Sequence, residues 1–493
     1  MSVFSLEFIL FLSIAFVVYY LASLVNKLSK KTIIPQWIIL LIASLVFYGL
    51  NNWLYPAFLG GSAVISYIAA MLCGEKKMMG KVATIVAIVI NVGALATLKY
   101  CNFFIDSANS LFHAGWLTQN FIIPLGISFY TFSLISYNVD SYKNNGPLEK
   151  NPFKFLLFVS YFPKLLQGPI SSYNKLKEDG LFENHSFIDN DYLNSFFRIA
   201  VGLIKKIAIA NVIGLFVDTV YSNLGDVYGL HLFITMIFYA IQLYCDFSGF
   251  MDICIGVSGL FGIKLEENFK APYLSTSIKE FWRRWHITLG AWLKKYIYIP
   301  LGGNRVCIFR WILNILIVWL VSGIWHGANW TFVVWGLYHG VLLVIGGLIA
   351  KANKKEKQEH NKVITCLKVC LTFLLVCLGW ILFRANSIQE AAKYVWHMIK
   401  FWQGSGFNVF TDASLESARP FLFIAFALIA VLIIVYVITL KKDVISAKIK
   451  KYELVSFIAR FVFVAACISF AIFAFLYLKN IGGGESSFIY FDF

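Results

Sequence analysis

Long apolar runs, separated by polar segments many of which are rich in lysine, recur along the whole chain. They cover residues 4–25, 33–50, 56–73, 82–99, 121–142, 196–221, 231–244, 307–321, 332–349, 363–384, 421–440 and 454–478. As helices rising ~1.5 Å per residue, several of them reach across ~30 Å of hydrocarbon. The alternating short segments of a membrane barrel are missing. The pattern predicts an all-α polytopic membrane protein with about 11–12 transmembrane helices. The run at 4–25 lacks a basic leading region and a clear small-residue cleavage site, so it is expected to be the first helix and not a signal peptide.

Three stretches break this pattern. Residues 153–170 contain FVSYFPKLLQGPI, where Pro163, Lys164, Gly168 and Pro169 interrupt any straight helix. Broken backbone at membrane depth is tolerated only inside protein or against a water-filled cavity, so this segment is expected to be re-entrant and close to an active cavity. In the run at 121–142, LGISFYTFSLISYNVD is laced with hydroxyl and amide side chains, which serve helix packing or substrate contact. Residues 264–305 are charged, and their middle reads as one amphipathic helix lying at the inner interface. Arg283 and Arg284 precede Lys294 and Lys295 by about three turns at ~3.6 residues each, and Phe281, Trp285, Leu289, Trp292 and Tyr296 form the other face.

Composition supports the membrane reading, with 59% hydrophobic, 17% aromatic and 14% charged residues among 493. The formal charge of +16 does not point to nucleic acid, because the lysines sit in short loops between apolar runs. Lys27, Lys30, Lys31, Lys76, Lys77, Lys81 and the loop KANKKEKQEHNK mark the cytoplasmic side, leaving both termini outside the cytoplasmic membrane. Nine cysteines, an odd number without paired close spacing, predict buried thiols and neither a disulfide framework nor a metal centre.

The candidate chemistry gathers between Phe281 and Trp330. His286 and His326 flank one membrane helix, and His339 lies one helix further on. An ionisable side chain at membrane depth is a functional-site candidate, and histidine is the commonest general base. The competing reading of each is a buried, hydrogen-bonded core residue. Asp246 and Asp252, in YCDFSGFMDI, are either a structural hydrogen-bond hub or part of a reaction cavity. No serine lies in a G-x-S-x-G context, which excludes the usual nucleophile elbow.

The motifs WRRWHITLGAWLKKYIYIPLGGNR and WHGANWTFVVWGLYHG, with LGISFYTFSLISYNVD, FPKLLQGPI, YCDFSGFMDICIG and LGWILFRA, resemble the membrane-bound O-acyltransferase family, in its bacterial alginate and peptidoglycan O-acetyltransferase branch. The resemblance implies a ring of tilted helices around a thin central channel, where a cytoplasmic acyl thioester meets an acceptor from outside. It matches His326 to the family's near-invariant histidine and His286 to the second histidine of this branch. Arg283, Arg284, Lys294, Lys295, Trp325, Asn329 and Asp246 are weaker candidates for substrate contact. Lys294-Lys295 stands where relatives often carry Arg-Asp, which puts a specific role for an acid there in doubt.

The tail FIYFDF resembles the aromatic end of the small membrane protein that works with the teichoic-acid D-alanylation acyltransferase, so Tyr490 is a candidate acyl relay. The chain would then comprise an acyltransferase core, 1–453, and a fused helix with tail, 454–493. About eleven residue steps from Lys479 to Tyr490 span at most ~36 Å, enough to fold back into an outer cavity. An aromatic tail anchored at the interface is the simpler alternative.

The function this implies is export of acetyl groups from cytoplasmic acetyl-CoA, with no bound cofactor, to a cell-wall or secreted polysaccharide through an extracytoplasmic serine-nucleophile (SGNH-type) transferase. Alternatives are a D-alanyl exporter and, in a different class, a transporter or channel. Against the last, two similar halves with paired interruptions are not visible in the sequence.

Overall fold

A computed structural model describes residues 5–74, 77–352 and 361–403. Among the described residues the regular secondary structure is helical, apart from one isolated antiparallel bridge between Phe269 and Trp285. Eight helices among them are long and apolar enough to cross a membrane. In chain order the helices are α1 Leu6–Ser29, α2 Gln36–Asn51, α3 Tyr55–Gly74, α4 Lys77–Phe112, α5 Ile127–Lys143, α6 Pro152–Ser160, α7 Phe162–Leu165, α8 Tyr173–Glu178, α9 Tyr192–Ser222, α10 Leu230–Leu260, α11 Ile278–Arg284, α12 Ile287–Leu293, α13 Ile308–His326, α14 Trp330–Ala352, α15 Lys362–Arg384 and α16 Ile388–Ile399. The runs expected at 421–440 and 454–478, and the tail with Tyr490, lie outside the described residues.

Two compact units divide the described residues: those up to Ser195 with Cys254–Glu267, and Phe196–Ile253 with those from Asn268 onward. In the first, the interrupted stretch is broken as its prolines and glycine require. Helix α6 stops at Ser160, α7 lasts four residues, and everything from Leu157 to Ser171 is buried. The left-handed Gly126 (φ 76°) opens α5, where a Cβ would lie 2.4 Å from the Leu165 carbonyl oxygen.

The second unit contains both candidate histidines. The apolar run expected to end at residue 244 continues as one 31-residue helix, α10. Its acids are paired: Asp246 with Lys206, and Asp252 with Lys205 at 2.6 Å and Arg198 at 2.7 Å. A paired carboxylate no longer has to be turned out towards water, so the helix carries on. Lys205 and Lys206 occupy a π-helical turn, Ile204–Ala210, and glycine lets the two helices approach, since a Cβ on Gly202 would lie 2.5 Å from the Gly249 carbonyl oxygen.

Candidate active site

The stretch expected to form one interfacial helix is two short helices and a π turn. Ser277 caps α11 by accepting the Glu280 N–H at 3.2 Å, and the helix ends where Phe269 pairs with Trp285. Lys270 N–H donates to the Arg284 carbonyl at 2.9 Å, and Ile287 N–H donates to the Asn268 carbonyl at 3.0 Å. Between these tethers His286 adopts a left-handed backbone (φ 47°, ψ 53°) that non-glycine residues seldom take. The chain restarts as α12, followed by the π turn Lys294–Tyr298.

This break removes the argument that the two basic pairs share a helical face. Phe281, Trp285, Leu289 and Trp292 are nonetheless buried, as the apolar pattern required, while Tyr296 is half-buried. Arg284 is held by Glu280 at 2.6 Å, whereas Arg283, Lys294 and Lys295 are exposed.

The left-handed turn carries the His286 imidazole into the interior, where it is 2% exposed. Its ring stands edge-on to Phe247, with centroids 4.8 Å apart, and 6.1 Å from the ring of Trp325. Neither of its nitrogens has a hydrogen-bond partner among the described residues. Burial pushes its pKa down to about 3, so the ring is neutral at physiological pH.

His326 is the last residue of α13, which ends as Gly327 turns to extended backbone. Its ring is buried against Trp335 at 5.0 Å, Phe383 at 5.3 Å and Trp325 at 5.0 Å. Trp325 is thus the shared neighbour of both histidines, which sequence reasoning had separated by a membrane helix. Close packing of α13 on α14 sets this geometry. A Cβ on Gly323 would lie 2.3 Å from the Phe332 carbonyl oxygen, and one on Gly336 2.3 Å from that of Trp319.

His339 has the surroundings of a core residue. It lies among Trp282, Trp335, Trp319 and Trp380, and its Nδ1 accepts the Trp282 indole N–H at 3.3 Å. A Cβ on Gly379 would sit 2.6 Å from its Nε2.

The weaker candidates separate in the same way. Asp246 is ion-paired with Lys206, both side chains being almost fully buried. Asn329 donates to the Asn386 carbonyl at 2.9 Å and accepts the Thr331 N–H at 2.9 Å, shaping the entry to α14. Sequence reasoning missed Lys205 and Lys206 as partners of the two acids, because basic residues near the start of an apolar run look like positive-inside flanks. It also missed Asn268. The available signal was an asparagine, a turn-former, just upstream of the basic-aromatic segment.

The sequence model of the MBOAT, membrane-bound O-acyltransferase, family matches residues 149–389, which include every element of this cluster. A peptidoglycan O-acetyltransferase of Helicobacter pylori is 34% identical over 419 residues, covering 79% of this chain and 78% of the relative. The chain belongs to the membrane-bound O-acyltransferase family. Within that family, a probable alginate O-acetylase of Pseudomonas aeruginosa is 35% identical over 380 residues, 75% of this chain and 71% of the relative. A teichoic acid D-alanyltransferase of Bacillus subtilis is 28% identical over 297 residues, 55% of this chain and 71% of the relative. The chain is therefore an acyltransferase of multi-pass membrane architecture.

Proposed function

We propose that this acyltransferase takes acetyl groups from cytoplasmic acetyl-CoA and passes them across the cytoplasmic membrane for O-acetylation of a cell-wall or secreted polysaccharide. The observation that carries the reading is the meeting of two buried imidazoles at Trp325, in a chain whose relatives named as O-acetyl-transferring enzymes match over three quarters of its length.

The two rings take different roles. His326 is the general base: it accepts the proton of the attacking hydroxyl as the oxygen adds to the thioester carbonyl, and returns that proton to the departing thiolate as the C–S bond breaks. His286, held neutral by burial, is a poor base and acts as a hydrogen-bond donor to the carbonyl oxygen. The Trp335 indole N–H, buried beside His326 and without an acceptor among the described residues, is a second donor available to the same oxygen. The hydroxyl belongs to Tyr490, which becomes an activated aryl ester, and a separate serine-nucleophile transferase carries the acetyl onward to the polysaccharide.

The deciding experiment is intact mass of the purified protein and its C-terminal peptide after incubation with acetyl-CoA, for wild type, His326→Ala and Tyr490→Phe. An acetyl adduct on Tyr490, lost in both variants, is expected. Release of CoA without any adduct on Tyr490 keeps the enzyme and removes the relay. D-alanyl transfer is the second reading, favoured by the teichoic acid D-alanyltransferase relatives; turnover of a D-alanyl thioester and not of acetyl-CoA would establish it.

A further inference from the structure

We infer that Asn268 is a positioning residue that holds the His286 ring in its reactive place, an inference that rests on the reading of His286 as part of the acyl-transfer site. The backbone of His286 is left-handed, a conformation that any residue with a Cβ enters at a cost, so neighbouring bonds must hold it. Those bonds converge on one residue. Asn268 is fully buried; its carbonyl accepts the Ile287 N–H at 3.0 Å, and its Oδ1 accepts both the Thr288 N–H at 3.0 Å and the Thr288 hydroxyl at 2.8 Å. Its Nδ2 then donates to the Met251 sulfur on α10 at 3.1 Å.

The amide orientation is fixed by this set, because a backbone N–H can only donate and therefore faces Oδ1. On the other flank the Phe269–Trp285 bridge and the Lys270 N–H to Arg284 carbonyl bond fix the chain before the histidine. On the far side the Gly290 N–H donates to the His286 carbonyl at 3.0 Å. The backbone of His286 is thus tied before, at and after the residue, while its ring nitrogens have no partner among the described residues. Such a division suits a group whose nitrogens are kept for a substrate and whose position cannot be set by its own hydrogen bonds. Two asparagine functions are used at once, an acceptor of two bonds and a donor, which neither alanine nor serine supplies.

The test is a double-mutant cycle on the full-length protein in liposomes, read as CoA release from acetyl-CoA with kcat and KM separated. Asn268→Ala is expected to lower kcat by ~10–100-fold with KM nearly unchanged, the effect of misplacing a reacting group. Thr288→Val, which removes the hydroxyl bond to Asn268 and keeps the Thr288 N–H bond, is expected to act in the same direction and less strongly. In a His286→Ala background neither change should lower turnover further. Equal losses in both backgrounds, or unchanged kcat in folded Asn268→Ala, overturn the inference. If Asn268→Ala fails to accumulate in the membrane, Thr288→Val decides by the same comparison. Full turnover in His286→Ala alone removes instead the role given to His286, and the inference with it.

Discussion

At the scale of the residue, His286 combines two unfavourable features, a left-handed backbone and an imidazole without solvent. The second has a definite pH signature. The unfolded imidazole binds a proton near its usual ~6.5 and the folded one only near 3. Between those values the unfolded chain holds more protons, so this group's contribution to stability is complete above about pH 6.5 and falls as pH drops towards 3, by about 1.4 kcal/mol per unit. His286→Asn removes the titrating ring and keeps a residue that tolerates the left-handed region. Melting temperatures of wild type and His286→Asn in detergent, measured between pH 7 and pH 4, should therefore fall more steeply for the wild type as pH drops. Parallel curves would mean that the ring is hydrated or paired. The backbone strain has its own reading: His286→Gly should be more stable than His286→Ala by about 1–2 kcal/mol, since glycine enters this region without penalty.

At the scale of the element, two helix pairs support the cluster by different means. Helices α13 and α14 meet through glycines whose missing Cβ atoms leave room for carbonyl oxygens. In Gly336→Ala the new methyl meets Trp319 backbone, which cannot rotate away, so the helices must separate. A destabilisation of about 1–3 kcal/mol is expected, seen as a lower melting temperature together with reduced turnover, because His326 ends the displaced helix. Helices α9 and α10 also approach through glycine, at Gly202 and Gly249, and add buried charge. Removing one partner, as in Asp246→Asn or Lys206→Met, should cost about 3–5 kcal/mol, while the double replacement by apolar residues should recover most of it. If the double variant is as unstable as the worse single one, the pair does more than neutralise itself.

These pairs also mark where sequence reasoning stopped short. Periodicity and run length carried the spanning helices because hydrocarbon selects for length and apolarity, both local properties. Proline and glycine similarly announced the interruption within residues 153–170, where the helix stops at Ser160 among buried residues. The break at His286 was illegible, since its cause lies in a bridge to Phe269 and a side chain at Asn268, outside the periodic segment. For the same reason the length of α10 was underestimated: only tertiary pairing makes Asp246 and Asp252 compatible with a continued apolar helix.

At the scale of the whole molecule, charge predicts an orientation, and that orientation decides which face would meet the proposed cytoplasmic donor. Helix α13 begins beside Arg305 and Arg310 and ends at His326, and α14 returns to Lys351 at the start of KANKKEKQEHNK. A helix pair of 19 and 23 residues joined by three residues places both basic ends on one side and the His326 turn towards the other. By the positive-inside rule, the excess of lysine and arginine predicts that the basic side faces the cytoplasm. Cys307, exposed immediately before α13, reports that side directly. In a variant retaining Cys307 alone among the cysteines, a membrane-impermeant maleimide should label inside-out vesicles and leave right-side-out vesicles unlabelled. The opposite pattern would put the His326 turn at the cytoplasmic face, leaving no path by which a base there serves an acceptor arriving from outside.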